Sequence, residues 1–407
     1  MKQKANVDYG VIQAEYWMTQ GIFISFASVF LLNAGFGVKT VGIVSCLGNL
    51  LTLFVQVWLA RYADKNRQTD LTVIMRSVKY AVLLCVVPLL FLYRSSSIWT
   101  MLFFTLALAG HSSLLPLLNE LCYRLENAGF QVNFGLCRAV GSLGYSILSI
   151  VLGYLTDGYG AIMVPICAIV ILLLSIVSLK LLQKRTGGKE TESPAVQKVQ
   201  AKGGFIAYIR HNKAVFLTNV GAVLLIYSTM AFGTYMQQIL SPLGGGVAVV
   251  GGANALSAIF EIPAMALFSV FARKWSNVHI LKYSTIGFVL RAALFFAAGS
   301  VGMIFLGQSM QVFGYALFYP AMVAYVHEQS DEDEAATAQS LFSMATAVST
   351  LAAALSGGVI IDAFGVKAML AVCLMLSVLG SLLVWVSVNG RKACTAAENC
   401  RQAESVQ

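Results

Sequence analysis

Twelve apolar runs of membrane-spanning length follow one another along this chain, and nothing else in it restricts the fold so severely. They cover roughly residues 16–35, 40–60, 71–93, 98–122, 134–157, 161–183, 214–240, 246–272, 278–299, 301–326, 338–361 and 366–389. About 20 apolar residues suffice for a helix to cross a bilayer. In lipid, every backbone polar group must be satisfied within the protein, so only helices and closed barrels can span. These runs are far too long for barrel strands. Charged residues make up 11 % of the 407, against about 25 % in soluble domains. The class is an all-α polytopic membrane protein embedded in the lipid bilayer.

Net charge is +9, which in a soluble chain would raise nucleic acid as a partner; the placement of the charge excludes it. Lys180, Lys184, Arg185, Lys189, Lys198, Lys202, Arg210 and Lys213 crowd the middle connection. Arg61, Lys65 and Arg67 follow the second run, and Arg273 and Lys274 follow the eighth. Alternate connections hold only Lys39, Arg94 and Lys367. Positive charge marks the cytoplasmic side, so both termini and the central connection are expected in the cytosol of a multi-pass protein of the cell membrane. The start, MKQKANVDYG, has no small-residue cleavage pattern, and no removed signal peptide is expected.

The second half repeats the first. Gly153, Asp157 and Gly160 recur as Gly358, Asp362 and Gly365 at one offset of 205. The polar stretch TGGKETESPAVQKVQAKGG lies between the halves and reads as a linker. The expected organisation is a six-helix bundle over 1–183, a cytosolic linker over 184–213, a second six-helix bundle over 214–390 and a tail over 391–407. Two parallel repeats of this kind place a substrate at the membrane midplane between the halves, where rocking exposes it to each side in turn.

Within this frame, ionisable residues at membrane depth mark function, because an uncompensated charge there costs roughly 2.5–3.5 kcal/mol on insertion scales. From Asn119 to Tyr145 the chain reads NELCYRLENAGFQVNFGLCRAVGSLGY. Glu120 ends one helix and Arg138 begins the next, so the two are expected to pair. Arg138, Ser142 and Tyr145 follow at i, i+4 and i+7, on one helix face. In the second half, Glu261 on the eighth run and Arg291 on the ninth form a second acid–base combination, and Gln308, Gln311 and Tyr315 lie on the tenth.

Other features read as structural. Arg76 and Lys79 open the third run and are expected to snorkel to the surface. His111 is expected to be a hydrogen-bonded structural histidine. The glycines at 244–246 and 251–252 are followed by no Gly-Lys-Ser/Thr, so they form no phosphate loop. HEQSDEDEAATAQ reads as a solvated acidic loop. The eight cysteines show no metal or disulfide spacing, and no metal or cofactor is expected. A membrane enzyme would need a metal or nucleophile constellation such as His-Glu-x-x-His; none is present in the sequence, and no enzymatic activity is expected.

These residues resemble the lactose permease group, the oligosaccharide:proton symporters of the major facilitator superfamily. The segment from Glu120 to Arg138 aligns with that group without a gap, including Phe134 and Gly135, and Gly141 and Gly144 beyond it match as well. The Asp64–Lys65 pair resembles the superfamily's loop signature, with Ala60 where a glycine is usual. The resemblance implies that Glu120 and Arg138 pair and bind the sugar, that Tyr145 stacks on its ring and that Ser142 lies beside it. It implies sugar contact and proton coupling for Glu261, and a proton-site role for Arg291. Gln311 stands where the group has a histidine, Gly314 where it has a proton-carrying glutamate, Met236 where it has an aspartate and Thr346 where it has a lysine.

The function expected is proton-coupled uptake of a small sugar or oligosaccharide, by a carrier that works as a monomer. Substrate contacts fall to Glu120, Arg138, Ser142, Tyr145, Glu261 and Gln311, and proton coupling to Glu261 and Arg291. The alternative is a permease of the same superfamily for nucleosides, aromatic acids or drugs.

Overall fold

The computed structural model describes residues 2–65, 69–186, 208–210, 212–330 and 335–388. Among them the regular structure is entirely helical. Eleven stretches are long and apolar enough to cross a membrane: Val38–Ala63, Leu71–Leu92, Ile98–Asn127, Phe134–Tyr159, Met163–Thr186, Lys213–Thr234, Val247–Ala264, Asn277–Phe296, Val301–Glu328, Thr337–Phe364 and Val366–Ser387. Lys2–Ser25, continued by Ala27–Asn33, precedes them and completes twelve spans, numbered here in chain order. The first span is less apolar because Gln13, Glu15, Thr19 and Gln20 lie inside it. The two-half, twelve-helix fold expected from the sequence is therefore the fold observed. Most of the 184–213 connection, the 391–407 tail with Cys394 and Cys400, and Asp331 and Asp333 of the acidic loop lie outside the described residues, as does the side chain of Asp64.

The internal repeat has a structural counterpart. Gly160 closes the fifth span at φ 86° and Gly365 opens the twelfth at φ 83°. With ψ at 174° and 171°, both occupy backbone space that is essentially glycine's alone. The same corner is turned at the same place in each half.

The repeat also supplies the contacts between halves. The fifth span crosses the eighth where Gly153 meets Gly251, and the second crosses the eleventh where Gly42 meets Gly358. A side-chain carbon at Gly251 would strike the Ser149 carbonyl, and one at Gly42 the Ala354 carbonyl. Only glycine permits backbones this close. Tyr235 donates its hydroxyl to the Ala354 carbonyl, and Asp157 accepts from the Val247 N–H at 3.2 Å. Helix direction places all these contacts toward the end of the bundle opposite the termini. The apolar core follows the same division. One cluster joins the halves there, with Phe30, Val41, Leu152, Tyr235, Val250 and Ile361. Nearer the termini each half has its own cluster, around Leu118 in the first and Tyr325 in the second. The halves are fused at one end and separate at the other.

One expectation about the third span fails. Lys79 does not snorkel; it is 1 % exposed, turned inward among the first, fourth and sixth spans. A lysine stem reaches the surface only when its helix face is turned outward, and the packing of this span against the fourth and sixth turns that face inward.

Candidate functional site

A cavity of about 220 Å³ lies between the halves, lined by residues of nine spans. It is smaller than the roughly 300–1,000 Å³ of typical drug-sized sites. The fifth span supplies Arg138, Ser142 and Tyr145 to one wall, on the face their spacing predicts. Arg138 donates from Nη1 to Ser142 Oγ at 2.8 Å. Its guanidinium carbon lies 3.8 Å from the centre of the Trp17 ring, close enough for a cation–π contact of about 0.5–2 kcal/mol. Trp17 is itself oriented, donating Nε1–H to Gln13 Oε1 at 3.2 Å. Tyr145 shares a hydrogen bond with Ser25 Oγ at 2.7 Å. Its ring lies on Gly21, where any side chain would displace it.

The opposite wall belongs to the second half. Glu261 Oε1 accepts from Gln311 Nε2 at 2.6 Å. Gln311 in turn accepts from Arg291 through its own amide oxygen. Gln308 accepts from the other guanidinium nitrogen and donates to the Ala253 carbonyl at 3.1 Å. The tenth span can hold both glutamines against Arg291 because it is interrupted: Val301–Ser309 passes through a 3₁₀ turn at Met310–Val312 before Tyr315–Glu328 resumes. Gly287 of the ninth span admits the Phe313–Gly314 backbone at that break. Short 3₁₀ stretches inside helices often mark functional hinges. In the eighth span Pro263 sits two residues beyond Glu261, and a proline inside a helix removes one backbone hydrogen bond.

One expected pairing differs in the structure. Glu120 does not reach Arg138 and does not line the cavity. Its Oε1 binds Arg124 Nε at 3.1 Å, one turn along its own helix, with the Glu120 side chain 33 % exposed. Sequence separation sets the depth of a residue in the membrane, whereas the rotation of its helix decides which way it points. Arg124 also lies one turn away, at the spacing where side chains meet directly. Glu261 and Arg291, expected as a second acid–base combination on neighbouring spans, are joined through Gln311. Of the seven expected site residues, Arg138, Ser142, Tyr145, Glu261, Gln311 and Arg291 meet around one cavity and Glu120 stands apart.

The partner that Arg138 faces across the cavity is Glu261, the two acting on each other electrostatically from opposite halves. Among the described residues they form no ion pair. Sequence reasoning missed Trp17, Asn49 and Asn254, which also line the cavity. The available signal for Trp17 was Gly141, three residues beyond Arg138, whose missing side chain leaves space for the indole. Met236 and Thr346 do not line the cavity. Met236 is buried in the core shared by the halves, and Thr346 bonds back to the Phe342 carbonyl at 3.1 Å.

Two helical bundles related by an internal repeat, fused at one end over a charged central cavity, define a membrane transporter of the major facilitator type. The chain belongs to the MFS_1-like family, which matches residues 16–372. It is 24 % identical over 306 residues to YwbF of Bacillus subtilis (strain 168), an uncharacterised transporter, covering 74 % of this chain and 72 % of that protein. Among solved structures it is similar to the nucleoside transporter NupG, with a TM-score of 0.76 at 14 % identity over 94 % of this chain and 98 % of the other. It is also similar to a bacterial homologue of the human lysosomal transporter Spinster, with a TM-score of 0.70 at 10 % identity, covering 95 % and 96 %. At these identities the likeness shows the fold alone.

Proposed function

We propose that the protein is a proton-coupled transporter of a small organic solute carrying a carboxylate and a planar ring, working by alternating access in the cell membrane with its termini cytosolic. The observation that carries this reading is the charge of the cavity. Its lining holds two guanidinium groups, Arg138 and Arg291, and one carboxylate, Glu261. With Glu120 bound elsewhere, one positive charge is in excess in a site of low dielectric, where an anionic guest is favoured. Arg138 has donors left after Ser142, and a guanidinium binds a carboxylate through two parallel hydrogen bonds. Trp17 and Tyr145 provide aromatic surface for a ring beside it. The volume suits one ring better than an oligosaccharide.

Glu261 is the proton carrier in this scheme. It is the one carboxylate among the lining residues, and a proton travelling with the anion offsets its charge against an inside-negative potential. Rocking of the halves changes the distance from Glu261 to Arg138, which biases proton capture and release.

A second reading, a neutral sugar or nucleoside, draws support from the polar side chains Asn49, Asn254, Gln308 and Gln311 around the cavity and from the fold shared with a nucleoside transporter. Purified protein in vesicles holding a pH dye separates the two. Aromatic monocarboxylates are expected to drive proton entry and to compete with one another. Proton entry with sugars or nucleosides, and none with carboxylates, overturns the anionic reading.

A further inference from the structure

A second group of ionisable side chains is buried in the first half, behind the cavity wall. Trp17 faces the cavity; Glu15, two residues earlier, points away from it toward the third and sixth spans and is 8 % exposed. Glu15 Oε1 accepts from Ser178 Oγ at 2.7 Å, while its Oε2 has no hydrogen-bond partner. Lys79 enters from the third span and acts electrostatically on Glu15, yet its ammonium has no partner. His111 of the fourth span is fully buried. Its Nε2 lies 3.1 Å from the Tyr16 carbonyl and its ring stacks on Tyr16 at 4.7 Å. His111 Nδ1 is also unpartnered, and Ser175 of the sixth span lies beside Glu15. From the fifth span the charge that reaches this group is Arg138, through Tyr16.

A structural ion pair would be closed and hydrogen-bonded, because leaving one charged partner unsatisfied in the interior is strongly destabilising. Here the acid and the base are buried in the same half and act on each other without closing an ion pair, and each keeps an orphaned atom. Such a pair has two low-charge states: both ionised with the pair closed, or both neutral after one proton passes from ammonium to carboxylate. A metal ion is disfavoured beside the ammonium, so the cation this site exchanges is the proton. The approach to it runs along one seam. Asp8 lies seven residues before Glu15, and Arg185 seven after Ser178, on the same helix faces. Asp8 and Arg185 form an ion pair nearer the end that bears the termini, with the Arg185 side chain 49 % exposed. The seam between the first and sixth spans thus has a polar mouth and a polar interior, with Ile12, Leu179 and Leu182 buried between them.

We infer that Glu15 and Lys79 form a second proton-exchanging site, separate from the central cavity and reached from the end of the bundle that bears the termini. This rests on the transporter reading, but not on the identity of the substrate or on the role of Glu261. Proton transfer moves one proton from Lys79 Nζ to Glu15 Oε2, leaving an amine and a carboxylic acid. Reprotonation of the amine along the seam takes one proton from water.

Infrared difference spectra of the full-length protein in lipid vesicles, recorded across a pH titration without substrate, test this directly. A protonated-carboxyl band is expected that vanishes in Glu15→Gln, persists in Glu261→Gln and titrates at a displaced pH in Lys79→Gln. The charge-balanced double variant Glu15→Gln with Lys79→Met keeps the thermal midpoint within a few degrees of the wild type and exchanges substrate, while its substrate-driven proton entry falls at least tenfold. The absence of any carboxyl band that Glu15→Gln removes, or a double variant with wild-type proton entry, reduces the pair to a helix lock and overturns the inference. Loss of the Glu261 band alone would bear on the cavity scheme and leave this site standing.

Discussion

Arg138 and Glu261 face each other across the central cavity from opposite halves without closing an ion pair. The two halves are joined at the end away from the termini, by the Gly153–Gly251 and Gly42–Gly358 crossings. Any motion that opens those crossings alters the distance between this acid and this base. Charge in the cavity and conformation of the bundle are coupled through that geometry.

Replacing Arg138 by lysine is expected to weaken substrate binding at least tenfold. An ammonium offers no planar fork for a carboxylate and no flat face for Trp17, and the two together amount to about 2 kcal/mol. Equilibrium binding to purified protein measures this, and unchanged affinity removes Arg138 from the substrate site.

Glu261→Gln keeps the hydrogen bonding of the site but cannot carry a proton. Substrate exchange across vesicles is expected to continue near the wild-type rate, while accumulation driven by a pH gradient drops to the equilibrium level. Full accumulation by the variant would show that another group carries the proton.

Gln311→Leu leaves Glu261 and one Arg291 nitrogen without the amide that joins them. An unsatisfied buried polar group costs about 1–3 kcal/mol, more when charged. A thermal midpoint lowered by several degrees is the expected outcome, and an unaltered midpoint would mean that water replaces the amide without loss.

At Gly251 a leucine meets the Ser149 carbonyl in the closed arrangement. Overpacking of this kind costs about 1–3 kcal/mol, enough to shift a two-state balance by tenfold or more toward the form in which the crossing is open. Labelling of a cysteine introduced at Ser45, beside the cavity, by a reagent added on the side opposite the termini should then accelerate. Unaltered labelling would show that the crossing yields without opening.

Much of the site was legible because helical spacing converts directly into a face. Arg138, Ser142 and Tyr145 follow one another around a single helix, and all three line the cavity. Lys79 and Glu120 were misread for one shared reason. Each was placed on the right helix, but the face it presents depends on how that helix is rotated against neighbours distant in sequence. Trp17 went unrecognised because an aromatic residue in a membrane helix packs in most settings, and Gly141, which makes space for it, lies over a hundred residues away.

What the sequence determined by itself was the helical class, the number of spans and the twofold repeat. These follow from the thickness of lipid, the obligatory hydrogen bonding of the backbone and a constant offset between matching residues. Tertiary structure alone decided which charges meet between helices. Arg124, one turn away, takes Glu120, so Arg138 is left to face Glu261 of the other half. Electrostatic partnership depends on distance through space, and the rotation of packed helices that sets this distance is recorded in no local stretch of chain.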